Sequence, residues 1–200
     1  IEWAGSLFDD VEPGIEGARE VAEREPTGEI EERAVSLAAR AADVSDERDA
    51  IAATIERVAP AVAPNLAEMA GPELAARLIA LAGGLESLAK KPSGTVQVLG
   101  AEDALFAHLS GRAPSPKHGI IYTHEYVRGT RPEDRGSAAR ALAGKLTLAA
   151  RADHYAGERR ETLHDDLRER MATIRGRADG PNGGDGSEGT TDGDESEGSR

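Results

Sequence analysis

The chain has no cysteine, so disulfides, thiolate metal sites and cysteine nucleophiles are excluded. No apolar run approaches the roughly 18–20 residues that a membrane span needs, and no signal peptide opens the chain. A soluble, cytoplasmic protein is the expectation. Aromatic residues make up only 3% of the sequence, and lysine is almost absent: of 24 basic residues only Lys90, Lys91, Lys117 and Lys145 are not arginine. With a net charge of −13 and abundant alanine and aspartate, this composition points to a protein adapted to molar salt. There the Debye length falls to roughly 3 Å and like-charge repulsion costs little. An ordinary acidic protein with an acidic tail is the plainer alternative, but the arginine bias runs through the whole chain and favours the high-salt reading.

The charge is unevenly spread. Between Lys90 and Arg151 ten basic residues face five acidic ones, so a basic island sits inside an acidic protein. Nucleic acid is the first candidate partner for such an island.

Two hundred residues hold one or two modest domains, and a start at Ile1 rather than methionine predicts a missing upstream domain. Residues 1–27 read as an acidic lead-in ended by Pro26-Thr27-Gly28. Ile30, Ala34, Leu37, Ala41, Val44, Arg48, Ile51, Ile55, Val58 and Val62 then alternate at spacings of four and three, a heptad seam with one charged member. Such a seam is either a coiled-coil arm or one face of a compact bundle; its length favours the arm. Pro60 and Pro64 are expected to close that helix. Gly71-Pro72 opens another, striped by Leu74, Leu78, Leu81, Leu85 and Leu88 and ended by Lys90-Lys91-Pro92. Residues 95–99 read as extended or as a helix start, and 100–109 as helical. Loops follow at 111–119 and 128–136, and helices are expected from about Ser137 to Tyr155 and from about Arg160 to Arg175. From Asp179 on, glycine, serine and acids dominate, a composition that reads as disordered.

No motif in the sequence carries catalytic chemistry. Gly144-Lys145 lacks both the upstream glycine, replaced by Ala139, and the following Ser or Thr of a phosphate loop. The five histidines have no zinc spacing, His124-Glu125 reads as a chance pair, and no serine stands in a nucleophile elbow. No cofactor, metal or catalytic residue is expected, which argues against an enzyme.

The informative constellation is a series of uncommon blocks in order: Val62-Ala-Pro-Asn-Leu, Ala75-Ala-Arg-Leu-Ile-Ala-Leu-Ala-Gly-Gly-Leu, the run from Leu88 to Phe106, Ser115-Pro-Lys-His-Gly-Ile-Ile-Tyr, and the run from Arg135 to Asp153. Over about residues 50–176, and more weakly over the arm and the Glu2-Trp3 start, the sequence resembles the Nop-domain family, in its archaeal form. The resemblance implies a mostly all-α protein: a lead-in and coiled-coil arm over 1–63, a helical Nop domain over 64–177, and a disordered acidic tail over 178–200. It also implies a non-enzymatic scaffold of the box C/D guide RNA methylation particle. In that family the Nop domain binds the composite surface of a kink-turn RNA and its kink-turn-binding protein. The arm self-associates, giving a homodimer, and a separate N-terminal domain holds the methyltransferase fibrillarin.

Carried over block by block, the resemblance makes Lys90, Lys117, His118, Arg140, Lys145 and Arg151 the expected RNA contacts, and Gly100, Ala101 and Glu102 the residues facing the kink-turn-binding protein. Helical spacing supports part of this. Ser137, Arg140, Gly144, Thr147 and Arg151 share one face, with the two arginines roughly 16 Å apart, whereas Lys145 lies about 140° away. The chain departs from the family where Asp103 replaces a lysine, where Ser137 stands at a position often lysine, and in its acidic tail. A helical dimerisation adaptor without RNA binding is the rival reading.

Overall fold

The computed structural model describes residues 7, 8, 10–157, 159, 160 and 162–176, and the disordered reading of the tail and the Glu2-Trp3 start fall outside them. Among the described residues the regular structure is entirely helical, with no strand.

Part of the lead-in is itself a helix. In α1 (Ile15–Ala22) the apolar positions Ile15, Ala18 and Val21 recur every three residues, and they pack on Val35, Ala38 and Ala41 of α2 (Glu29–Val62). Ion pairs staple this hairpin. Arg19 reaches Asp46, and Arg24 bridges Asp10 at 2.8 Å and Glu20 at 2.6 Å. Exposed pairs of this kind are screened by solvent and add little, so the apolar strip carries most of the packing.

Helix α2 holds 34 residues, about 51 Å at 1.5 Å per residue. At its start the Thr27 amide and hydroxyl both donate to Glu31. Pro60 does not close it: the helix continues to Val62, with the Ala63 amide still bonded to the Ala59 carbonyl at 2.9 Å. A proline in an exposed last turn forfeits one hydrogen bond, with the orphaned carbonyl left to solvent. The heptad seam divides. Ala34 is buried, Ala41 is half-buried beneath α1, and Ile55 packs against the main core. Ile30, Leu37, Val44, Ile51 and Val58, seven residues apart, stay exposed.

The body is built around α9 (Arg135–Arg151), whose Ala138, Ala139, Leu142, Ala143, Leu146, Ala149 and Ala150 are all buried. Its alanines let neighbours approach closely, while Leu66, Leu78, Leu88, Val96, Ile121, Val127, Leu167, Met171 and Ile174 fill the volume between. Those neighbours are α3 (Pro64–Ala70), α5 (Leu85–Lys90), α6 (Ser93–Val98), α8 (Glu125–Arg128) and α10 (Thr162–Gly176). The expected helix from Pro72 to Lys90 is two. α4 (Pro72–Ala82) ends at Gly83, whose φ of 84° is left-handed. The Gly83 amide bonds to the Ala80 carbonyl and the Gly84 amide to that of Ile79, closing a Schellman turn before α5 begins. α7 (Glu102–Leu109) lies outside the core with no buried residue.

After Arg151 the chain makes a single π-helical turn, Ala152–Ala156. From it, Asp153 accepts hydrogen bonds from the Asn65 amide at 2.9 Å, the Asn65 side-chain amide at 2.6 Å and the Leu66 amide at 2.9 Å. The N-terminus of α3 is thus capped by a carboxylate 88 residues away.

Candidate nucleic-acid interface

The loop between α7 and the 3₁₀ turn Ile120–Thr123 is laced to α6. The Gln97 side-chain amide donates to the Lys117 carbonyl at 2.7 Å, the Gly119 amide to the Gln97 carbonyl at 2.8 Å, and the Ile120 amide to the Leu99 carbonyl at 2.8 Å. Only glycine fits at 119, because a Cβ there would lie 2.1 Å from the Leu99 carbonyl oxygen. This crossing fixes Lys117 and His118 against the first turns of α9. The result is a groove of about 470 Å³ whose lining includes Gly94, Gln97, Ser115, Lys117, Ser137 and Arg140, with Glu133 as its one carboxylate. Lys117 and Arg140 are exposed.

The His118 ring stacks on Tyr122, centroids 4.6 Å apart and planes 23° apart, and the Arg135 guanidinium lies 5.5 Å from the Tyr122 ring centre. Burial, then the Arg135 charge, hold the His118 pKa below its ordinary 6.5. The imidazole is therefore neutral at pH 7, with a flat face for stacking and a ring nitrogen for hydrogen bonding.

The structure separates the residues expected to touch RNA. Lys117, His118 and Arg140 gather at this groove. Lys90 and Arg151 gather at the other end of α9: Arg151 donates from Nε to the Ala89 carbonyl at 3.0 Å, and Lys90 pairs with Glu86 at 2.5 Å. Lys145 joins neither group. It pairs with Asp166 of α10 at 2.6 Å, on the side its helical angle indicated. The polar face expected along α9 is interrupted, because Thr147 is buried and bonds the Ala143 carbonyl. Instead the α5–α6 connection links the two groups, with Lys90 at one end and Gly94 in the groove at the other.

Gly100, Ala101 and Glu102 form the entry to α7, directly beside the Gly119 crossing. Gly100 has a φ of 82°, and a Cβ there would lie 3.3 Å from both Ile120 and Leu81. Its amide donates to Glu102 at 2.8 Å, and backbone hydrogen bonds hold the Glu102 carboxyl below the usual range. Sequence reasoning passed over Gln97 and Gly94, which have no charge to mark them, and the exposed Tyr155.

The described residues thus define an all-α protein of a helical arm and a helical body, with a laced basic loop seated on the body's central helix. A family model described as "Nop: snoRNA binding domain, fibrillarin" matches residues 15–174, and the chain belongs to the Nop family. It is 43% identical over 160 residues to an uncharacterised NOP5 family protein of Methanocaldococcus jannaschii, covering 78% of this chain and 39% of the relative. It is 38% identical over 147 residues to nucleolar protein 56 of Schizosaccharomyces pombe, covering 73% and 30%, and 38% identical over 172 residues to nucleolar protein 58 of Candida albicans, covering 86% and 33%. The chain therefore spans between three and four tenths of the length of these relatives. A crystal structure of a fibrillarin/Nop5p complex contains a chain that matches with a TM-score of 0.59 at 28% identity, over 86% of this chain and 68% of that one.

Proposed function

We propose that these residues are the RNA- and protein-binding part of a non-enzymatic scaffold for the box C/D guide RNA 2'-O-methylation particle. The body binds the composite surface of a kink-turn RNA and its kink-turn-binding protein, α2 pairs with a second copy, and fibrillarin is bridged through the family's separate N-terminal domain. The observation that supports this best is the Gly119 crossing. One backbone contact holds the basic groove of Lys117, His118 and Arg140 on one side and the Gly100-Ala101-Glu102 turn on the other. An RNA stem and the protein bound to it would meet adjacent, rigidly related surfaces.

Three cations, Lys117, Arg140 and Arg151, lie on the proposed path, with Lys90 held by Glu86 and Lys145 by Asp166. Neutralising about three phosphates gives a log–log salt slope of roughly −2.1 to −2.7. In molar salt that contribution nearly vanishes, so affinity must come from stacking, shape and contact with the kink-turn-binding protein. A gel shift at high salt with a box C/D kink-turn RNA tests this. A shift only when the kink-turn-binding protein is present, abolished by Lys117→Glu with Arg140→Glu, is the expected result. No shift by folded protein in either case would refute the RNA reading. A helical dimerisation adaptor would then lead, on the strength of the exposed aliphatic stripe of α2.

A further inference from the structure

We propose that Tyr155 is a stacking platform for one unpaired RNA base, a subsite separate from the Lys117–Arg140 groove; the inference rests on the RNA-binding reading above. The π-helical turn after α9 places the Tyr155 ring at the mouth of a cleft of about 240 Å³ lined by Leu148, Arg151, Ala156, Arg160 and Leu163. Pockets for drug-sized ligands run from about 300 Å³ to 1,000 Å³, so this one suits a single ring system. Its apolar rim is open to solvent: Tyr155 is 64% exposed and Leu148 44%.

The ring is also held. His154 meets it edge-on with centroids 4.5 Å apart, the Gly157 amide closes the turn on the Ala152 carbonyl at 2.8 Å, and Asp153 ties the same turn to α3. The π-helical turn ends at Gly157, whose φ of 66° is left-handed, so the chain turns away directly after Tyr155-Ala156 and leaves the ring uncovered. A fixed, exposed ring loses little conformational entropy when a base stacks on it.

Charge argues for RNA over an apolar peptide as the occupant. Arg151, anchored by its Nε to the carbonyl of Ala89 at the end of α5, stands in the cleft wall, and Lys90 follows Ala89 in the chain. Glu86 offsets Lys90 by pairing with it, and Glu158 and Glu161 flank the Arg159-Arg160 pair in sequence, so Arg151 is the principal phosphate partner. The cleft and the first groove lie along the same helix: Arg140 and Arg151 share a face of α9 about 16 Å apart, and the chain from Lys90 to Gly94 runs between the two groups. Stacking tolerates any base and survives high salt, which the phosphate contacts do not.

The test compares a kink-turn RNA carrying a short single-stranded uridine extension with the trimmed RNA, each with the kink-turn-binding protein, on the full chain. Wild type should bind the extended RNA about tenfold more tightly, the gain expected of one stacked base. Tyr155→Ala should lose that preference while keeping its affinity for trimmed RNA, and Tyr155→Phe should retain it. No preference in wild type, or a preference that survives Tyr155→Ala, overturns the proposal. If the trimmed RNA is itself not bound, the RNA reading has failed on its own. Fluorine NMR of fluorotyrosine-labelled protein then decides the stack: oligouridine must shift the Tyr155 resonance, assigned with Tyr155→Phe, and an unmoved resonance overturns the proposal.

Discussion

Replacing Asp153 by alanine would remove the cap of α3 and take one acceptor group from three donors at once. The Asn65 and Leu66 amides and the Asn65 side chain all point at the Asp153 carboxylate, and Asn65 and Leu66 are 3% and 0% exposed. Hydrogen bonds to a charged acceptor contribute about 1.5–3 kcal/mol each, and loss of an N-cap costs about 0.5–2 kcal/mol. The three share one acceptor and are not additive, so a loss of about 3 kcal/mol is expected for Asp153→Ala. Asp153→Asn, which keeps one acceptor oxygen but turns an NH₂ toward a donor, should lose about half as much. Followed by circular dichroism in urea, with a slope of about 2 kcal/mol per molar for a domain of this size, the alanine variant should unfold roughly 1.5 M earlier. The shift should persist in molar salt, because a part-buried charge-assisted bond is screened far less than a surface pair. A midpoint displaced by less than about 0.5 M would refute the argument that a remote carboxylate, not local sequence, holds the start of α3.

Gly119→Ala places a methyl carbon 2.1 Å from a backbone oxygen, so the loop must leave α6; the kink-turn shift should be lost while circular dichroism shows the helices retained. Val44→Asp with Ile51→Asp, both on the exposed stripe of α2, should convert a dimer to a monomer in light scattering at high salt and leave the melting temperature of the body unchanged; a monomeric wild type would contradict the pairing reading. His124 accepts the Tyr126 amide at Nδ1 and donates from Nε2 to the Met69 carbonyl, and burial holds its pKa below the ordinary 6.5. The unfolded chain then binds the proton more tightly than the native one, so stability present above about pH 6.5 is lost as the pH falls toward the folded pKa. Urea titrations at pH 7 and pH 5 should show that loss, and His124→Gln should reduce it, leaving the share that His118 contributes in the same direction.

The helical class, the boundary at Pro72 and the extent of α9 were legible because periodicity and proline chemistry act locally. The break at Gly83-Gly84 was not, since Leu78, Leu81, Leu85 and Leu88 keep helical spacing across it. Only the left-handed φ of Gly83 betrays the stop. Pro60 misled in the opposite sense, because an exposed last turn tolerates it. Spacing placed Arg140 and Arg151 on one face of α9 but could not show that Thr147 between them is buried, nor that α1 covers part of the seam. These depend on contacts between segments distant in sequence, as does the bond from Asp153 to Asn65. At the groove, the marked charges Lys117 and Arg140 were readable, whereas Gln97 contributes through a side-chain amide and Gly94 through its mere smallness.

Among the described residues, one stretch of α2 packs against nothing. From Glu47 to Thr54 every residue is exposed, beyond the Arg19–Asp46 pair and α1's apolar strip and before the contacts of Ile55 and Ala59 with the body. A helix segment without tertiary contacts is marginal in water, sustained only by its cooperative junction with the turns on either side. Its amides should exchange with solvent quickly in a lone chain and slowly once another helix lies along it. That eight-residue span therefore works as a gauge built into the molecule, reporting association as protection at a place where no other described segment protects it.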